Sequence, residues 1–279
     1  MHVTLTSGLT LMQALLLFIA GVLSGGLNAL AGGGGFITLP ALIFSGISPI
    51  LANTSGTIAV WPGIVGSMVA YRKNLKTEKH PLILYFILVL LGSTLGAFLL
   101  LFSTNKFFMN ILPFLLLFAT VIFTFGKSIT SRIMNLRNQM FVSGKIKVSE
   151  NKTLVPKPII YFLLFLIAIY GGYFGGGMGM MTLAVLALIG MDDIHEMNAL
   201  KTLIVLIING IGALIFIFEG KVAWPQCLVM MLGCLLGGYF AGYFVQRIDA
   251  KIVRRMIIAV AVSMTVYFFY RWMVTHQIY

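Results

Sequence analysis

The first 71 residues of this chain contain no Lys, Arg, Asp or Glu, and the first charged side chain is Arg72. Soluble domains carry roughly a quarter of their residues as charges, so in water such a run would expose a large apolar surface. A bilayer asks for the reverse, because a spanning helix needs about 20 predominantly apolar residues. Further uncharged stretches recur at Pro81–Asn105, Phe107–Gly126, Pro158–Met191, Thr202–Phe218 and Val222–Gln246, and Met256–Tyr270 lies between Arg255 and Arg271. With 59% hydrophobic and 9% charged residues, the chain reads as an all-α integral membrane protein whose immediate partner is the lipid bilayer. The net charge of +12 is then explained by loop Lys and Arg on the cytoplasmic side, and no nucleic-acid partner is expected. Met1–Ser7 lacks the basic start of a signal peptide.

The chain repeats itself at an offset of 144 to 146 residues. Gly32, Gly33 and Gly35 match Gly176, Gly177 and Gly179; Thr38-Leu39 matches Thr182-Leu183; Gly46 matches Gly190. Asn53 and Thr57 match Asn198 and Thr202, Pro81 matches Pro225, and Gly92-x3-Gly96 matches Gly238-x3-Gly242. One order and nearly one register imply a duplication, with repeats at 1–126 and 158–279 and a basic linker at 127–157.

Each repeat contains five hydrophobic segments: near 11–31, 36–47, 51–71, 81–102 and 107–125, then near 158–174, 178–190, 197–218, 223–246 and 252–270. The second of each set has only 12 or 13 residues. As a helix it would span about 20 Å at 1.5 Å per residue, short of a hydrocarbon core of about 30 Å. The expected architecture therefore has 8–10 hydrophobic segments, two of them short, glycine-broken helices that either cross or re-enter. An odd number of crossings per half gathers 16 of the 19 Lys and Arg on one side, leaving Lys106, Lys221 and Arg271 on the other. Counting each broken pair as one span gives a weaker 13-to-6 split. The positive-inside rule then favours inverted repeats, with both termini outside and the linker in the cytoplasm.

In transporters with inverted repeats, short or glycine-interrupted segments at matching positions mark the binding site. Here these are Gly32, Gly33, Gly34 and Gly35 in the first half and Gly175, Gly176 and Gly177 in the second. Glycines let backbone N–H groups approach a ligand, and helix starts beside them direct partial positive charge at an anion. Asn53, Thr54, Ser55 and Thr57, with Asn198, Lys201 and Thr202, form a second polar cluster in both halves. Such neutral donors either bind an oxyanion or cap the helix that follows. Lys201 is the only basic residue between Lys157 and Lys221, and an ionisable group opening an apolar run is a functional candidate; snorkelling to the interface is the alternative. Asp192, Asp193, His195 and Glu196 form either a solvated loop or a proton relay, so coupling to protons stays open. Gly92/Gly96 and Gly238/Gly242 read as close-packing motifs, and Cys227 and Cys234 as small apolar residues. The glycine run lacks the Gly-Lys-Ser/Thr of a P-loop. No catalytic residue, metal site or cofactor is expected, and the chain does not read as an enzyme.

These stretches resemble the TauE/SafE family of membrane proteins, described as sulfite exporters or sulfonate permeases, over nearly the whole chain. The resemblance is carried by Gly25–Phe36, Pro40-Ala41-Leu42 and Asn53-Thr54-Ser55, then Gly171–Gly179 and Asn198–Thr202. In the second half Met178 and Met180 interrupt the glycines, and Ala199-Leu200 stands where the first half has Thr54-Ser55. The resemblance implies movement of sulfite, sulfoacetate or another organosulfonate across the cytoplasmic membrane. The residues themselves point to a small anion, because no carboxylate stands ready for a cation. The expectation is a secondary transporter working by alternating access, with an anion channel as the alternative.

Overall fold

A computed structural model describes residues 4–5, 9–31, 34–75, 82–142, 155–191, 193–244 and 250–277. Among them lie ten α-helices, five in each repeat. The first repeat supplies α1 (Leu11–Ala31), α2 (Gly35–Phe44), α3 (Pro49–Tyr71), α4 (Leu82–Phe102) and α5 (Asn105–Val142). The second supplies α6 (Lys157–Tyr173), α7 (Met178–Ile189), α8 (Ile194–Phe218), α9 (Trp224–Phe244) and α10 (Ala250–Gln277). A 3-10 turn, Arg72–Asn74, follows α3, and Thr4–Leu5 pairs antiparallel with Leu9–Thr10.

Helices are what apolar runs must form in a bilayer, where each backbone N–H and C=O has to be bonded within its own segment. Local chemistry then sets the ends. Pro49 opens α3, a position where its missing N–H costs nothing. The Asp193 carboxylate caps α8, accepting from the His195 and Glu196 N–H groups at 2.9 and 3.4 Å. The short helices α2 and α7 stop at the same device, a glycine with φ of 92° at Gly46 and 100° at Gly190. The next residue's N–H bonds back to Leu42 in one half and Leu186 in the other. That left-handed stop suits glycine alone among common residues.

The ten helices follow the ten expected segments closely, with two extensions. α5 does not end near 125 but runs through Gly126 to Val142, so the linker expected from residue 127 begins as helix. At 38 residues α5 is roughly 57 Å long, nearly twice the bilayer core. Its apolar part is Asn105–Gly126, and Lys127, Arg132 and Arg137 follow. α10 likewise continues to Gln277. Four helical stretches among the described residues are both long and apolar enough to cross a membrane alone: Leu11–Asn28, Ile83–Phe102, Asn105–Gly126 and Ile194–Phe218.

The repeats interlock rather than standing side by side. α1 packs along α9 and, in the reciprocal pair, α6 packs along α4. Likewise α3 meets α9 as α8 meets α4, and α7 meets α5 as α2 meets α10, while α3–α8 and α5–α10 pair with each other across the centre. Exchange of the two halves thus maps each of these pairs onto another of them or onto itself.

Glycines set the depth of the interlock, and their register corrects one sequence pairing. A Cβ on Gly92 or Gly96 would collide with the Phe165 or Ile169 carbonyl oxygen of α6. In the mirror contact, a Cβ on Gly233 or Gly237 would collide with the Phe18 or Val22 carbonyl oxygen of α1. The structural partners of Gly92 and Gly96 are therefore Gly233 and Gly237, not Gly238 and Gly242. A Cβ on Gly238 would meet nothing closer than Gly63 at 3.6 Å. The outer surface stays apolar: Ile83, Phe102 and Phe218 are each at least 80% exposed. In water such a surface would drive association; in a membrane it faces lipid.

Candidate functional site

The two glycine breaks meet. A Cβ placed on Gly35, at the start of α2, would lie 3.7 Å from the Gly176 Cα between α6 and α7. Gly175 and Gly177 there adopt φ of 82° and 77°, the left-handed region open mainly to glycine. Tyr170 fixes the turn by donating its hydroxyl to the Gly176 carbonyl at 2.7 Å. Ser24 does the same for the first break, donating to the Gly34 carbonyl at 3.0 Å. Gly177 packs against Ala119. Gly32 and Gly33 lie outside the described residues.

Between the breaks is a cavity of about 40 Å³, room for about three water-sized groups at roughly 10–15 Å³ each. Of the residues expected to bind substrate, Gly35, Asn53, Thr57 and Gly175 line it. Asn28, Thr38 and Asn209 complete the polar wall, and Leu39, Val60, Ile64, Phe174 and Met178 form the apolar one. No acidic or basic side chain is among these lining residues. At the helix starts Ile37 and Thr38 donate their N–H groups to the Gly34 carbonyl, and Met178, Met180 and Met181 donate theirs to the Gly175 and Gly177 carbonyls. This leaves the Gly35, Phe36 and Gly179 N–H groups without a backbone acceptor among the described residues. Both helices begin at this cavity, and their dipoles favour negative charge there.

Asn53 and Asn198 do not cap helices, as one reading of the sequence allowed. Each is the fifth residue of its helix, α3 or α8. The Asn53 amide donates to the Tyr173 carbonyl at 2.9 Å, tying α3 to the end of α6 where the second break begins. Asn198 instead donates to Ile194 within its own helix and accepts from Lys201 Nζ at 3.3 Å. Thr57 and Thr202 both donate to the carbonyl four residues back, at 2.9 and 2.7 Å.

The rest of the polar cluster divides. Thr54 donates to the Lys221 carbonyl at 2.6 Å, and the Ser55 hydroxyl accepts from the Ala223 N–H at 2.9 Å. Both side chains are fully buried and moor α3 to the loop before α9, away from the cavity. Cys227 joins this mooring by donating to the Ser55 carbonyl. Lys201 and Thr202 line a separate pocket of about 10 Å³, with Asn28, Ile64, Ser67 and Val205. Asn28 and Ile64 belong to both spaces.

Three polar residues lining the larger cavity were not among those expected from the sequence. Asn28 and Asn209 are amides deep in apolar stretches of α1 and α8, a signal visible in the sequence but not at either break. Thr38 is 3% exposed and its hydroxyl makes no hydrogen bond among the described residues, whereas the hydroxyl of its repeat partner Thr182 donates to the Met178 carbonyl at 2.9 Å.

Interlocked repeats, broken short helices and a polar cavity at their junction define a multi-pass α-helical membrane transporter. The model of the sulfite exporter TauE/SafE family matches residues 17–268, and the chain belongs to that family. It is 26% identical to a probable membrane transporter protein of Haemophilus influenzae, over 90% of this chain and 92% of the relative. A probable membrane transporter protein of a Sinorhizobium species is 30% identical, with 90% of both chains covered. The probable membrane transporter protein YfcA of Escherichia coli K12 is 25% identical, over 89% of this chain and 87% of the relative. No solved structure matches.

Proposed function

We propose that the chain is a secondary transporter carrying a small sulfur-containing oxyanion, such as sulfite, sulfoacetate or another organosulfonate, across the cytoplasmic membrane by alternating access. The observation that carries this reading is the contact of Gly35 with Gly176 beside a polar cavity whose lining holds no carboxylate. Backbone N–H groups at the starts of α2 and α7 and the second N–H of the Asn53 amide would face the oxyanion, while Thr57, whose hydroxyl proton goes to the Asn53 main-chain carbonyl, lines the wall without donating. Gly34 and Gly176 would shape its bed, and Lys201 supplies the nearby cation.

The interlock suggests what moves. α1 with α9 and α4 with α6 are the tightest inter-repeat pairs, so each rocking group would contain helices of both halves. Inverted halves put both termini outside and residues 127–157 in the cytoplasm, between membrane repeats at 1–126 and 158–279.

Titration of the purified protein with sulfite, sulfoacetate, thiosulfate and small carboxylates tests the proposal. Binding of at least one sulfur oxyanion, weakened by Asn53→Ala, is expected. Absence of binding across the panel, or indifference to Asn53→Ala, would overturn it.

A further inference from the structure

The two spaces beside the breaks are copies of one another. Gly56, Thr57 and Val60 line the larger cavity, and their partners 145 residues on, Lys201, Thr202 and Val205, line the smaller. Ile64 lines both, and its partner Asn209 lines the larger. The decisive difference is Gly56 against Lys201. In the first half glycine leaves the space open. In the second, a four-carbon chain and an ammonium enter it, and about 10 Å³ is left instead of about 40 Å³.

The ammonium is poorly compensated. Lys201 is 4% exposed, and among the described residues its ammonium makes one hydrogen bond, to the neutral Asn198 amide oxygen at 3.3 Å. Lysine carries three N–H donors, and an ionised group in an apolar interior needs countercharge or several hydrogen bonds. Ser67 and Thr202 cannot supply further donors to a ligand, because their hydroxyls donate to the Gly63 and Asn198 carbonyls. The side-chain amide of Asn28, which walls both spaces, makes no hydrogen bond among the described residues.

We propose that the smaller pocket is a second anion position, in which Lys201 Nζ and the Asn28 amide hold a halide-sized anion or one oxygen of an oxyanion. It rests on reading the larger cavity as an anion site. The duplication then yields two unlike copies: an open one bounded by neutral donors, and one carrying its own fixed cation. Asn28, common to both, is the step between them. An anion leaving the larger cavity would meet Lys201 next, and a small anion resident at Lys201 would repel a second anion in the larger cavity.

Bromide is the probe. Purified protein is crystallised in bromide and its anomalous signal located, with bromide affinity measured in parallel by titration. The wild type is expected to show bromide against Lys201 Nζ, Lys201→Arg to retain it, and Lys201→Met to lose it with at least a tenfold drop in bromide affinity. Asn53→Ala, in the other copy, should leave that bromide in place while weakening oxyanion binding. Thermal unfolding in detergent confirms that each variant is folded, and the arginine variant keeps the test decisive if methionine disturbs packing. A wild type with no bromide at Lys201, or equal bromide affinity in Lys201→Met, overturns the inference without touching the larger cavity. Bromide at Lys201 with no oxyanion bound anywhere would instead sink the transport reading and spare this one.

Discussion

Asn53→Asp alters a cavity-lining side chain by one heavy atom and one negative charge, so it tests the sign of the substrate. In a space of about 40 Å³ any ligand sits about 4 Å from that side chain. Two like charges at 4 Å repel by about 4 kcal/mol at an effective dielectric of about 20, or roughly a thousandfold in affinity. Asn53→Ala is the control, since both variants lose the bond to the Tyr173 carbonyl at 2.9 Å. Removing a neutral hydrogen bond costs about 1 kcal/mol, a loss of roughly fivefold. Calorimetric titration of the bound sulfur oxyanion into wild type and both variants reads the difference. The Asp variant should bind at least a hundredfold more weakly than the Ala variant. Equal affinities would show that no anion approaches Asn53, and tighter binding by Asp would indicate a cationic substrate.

Packing and orientation give further outcomes. Gly96→Ala and Gly237→Ala push a methyl into main-chain carbonyls of Ile169 and Val22 and should each lower the detergent melting temperature, at a cost of about 1–3 kcal/mol. Gly66→Ala, where the space is open, should not. Thr38→Val should leave the melting temperature unchanged or raised yet weaken oxyanion binding several-fold. Thr182→Val, which loses the hydroxyl bond to the Met178 carbonyl, should lower the melting temperature slightly and leave oxyanion binding unchanged. A cysteine placed by Ser143→Cys should react with an impermeant thiol reagent only when the cytoplasmic face is opened; labelling in intact cells would refute the proposed orientation.

Segment bounds were legible because hydrophobic length and glycine position are local properties. The stops at Gly46 and Gly190, and the pairing of Asn53 with Asn198, are written in the residues themselves. What joins helices through space was less so. α9 carries Gly233, Gly237, Gly238 and Gly242, which offers two glycine-x3-glycine registers, and a single sequence offset selected the wrong one. The contacts show an offset of 147 between α1 and α6, as from Val22 to Ile169, and of 141 between α4 and α9, as from Gly96 to Gly237. Loop lengths differ between halves, so no single shift describes both. Thr54 and Ser55 were recognisable as donors, but their direction depends on how the loop at Lys221–Ala223 packs against α3. The basic stretch after Gly126 suggested a linker by composition, while continued backbone bonding carries α5 through its first part.

Flux into proteoliposomes is the most direct test of anion transport through the junction of the two breaks. Reconstituted wild-type protein, given the sulfur oxyanion it binds best, should show saturable uptake that accelerates when the same anion is loaded inside, with Asn53→Asp inactive. Uptake that never saturates, or that proceeds equally in Asn53→Asp, would contradict a carrier built around this cavity.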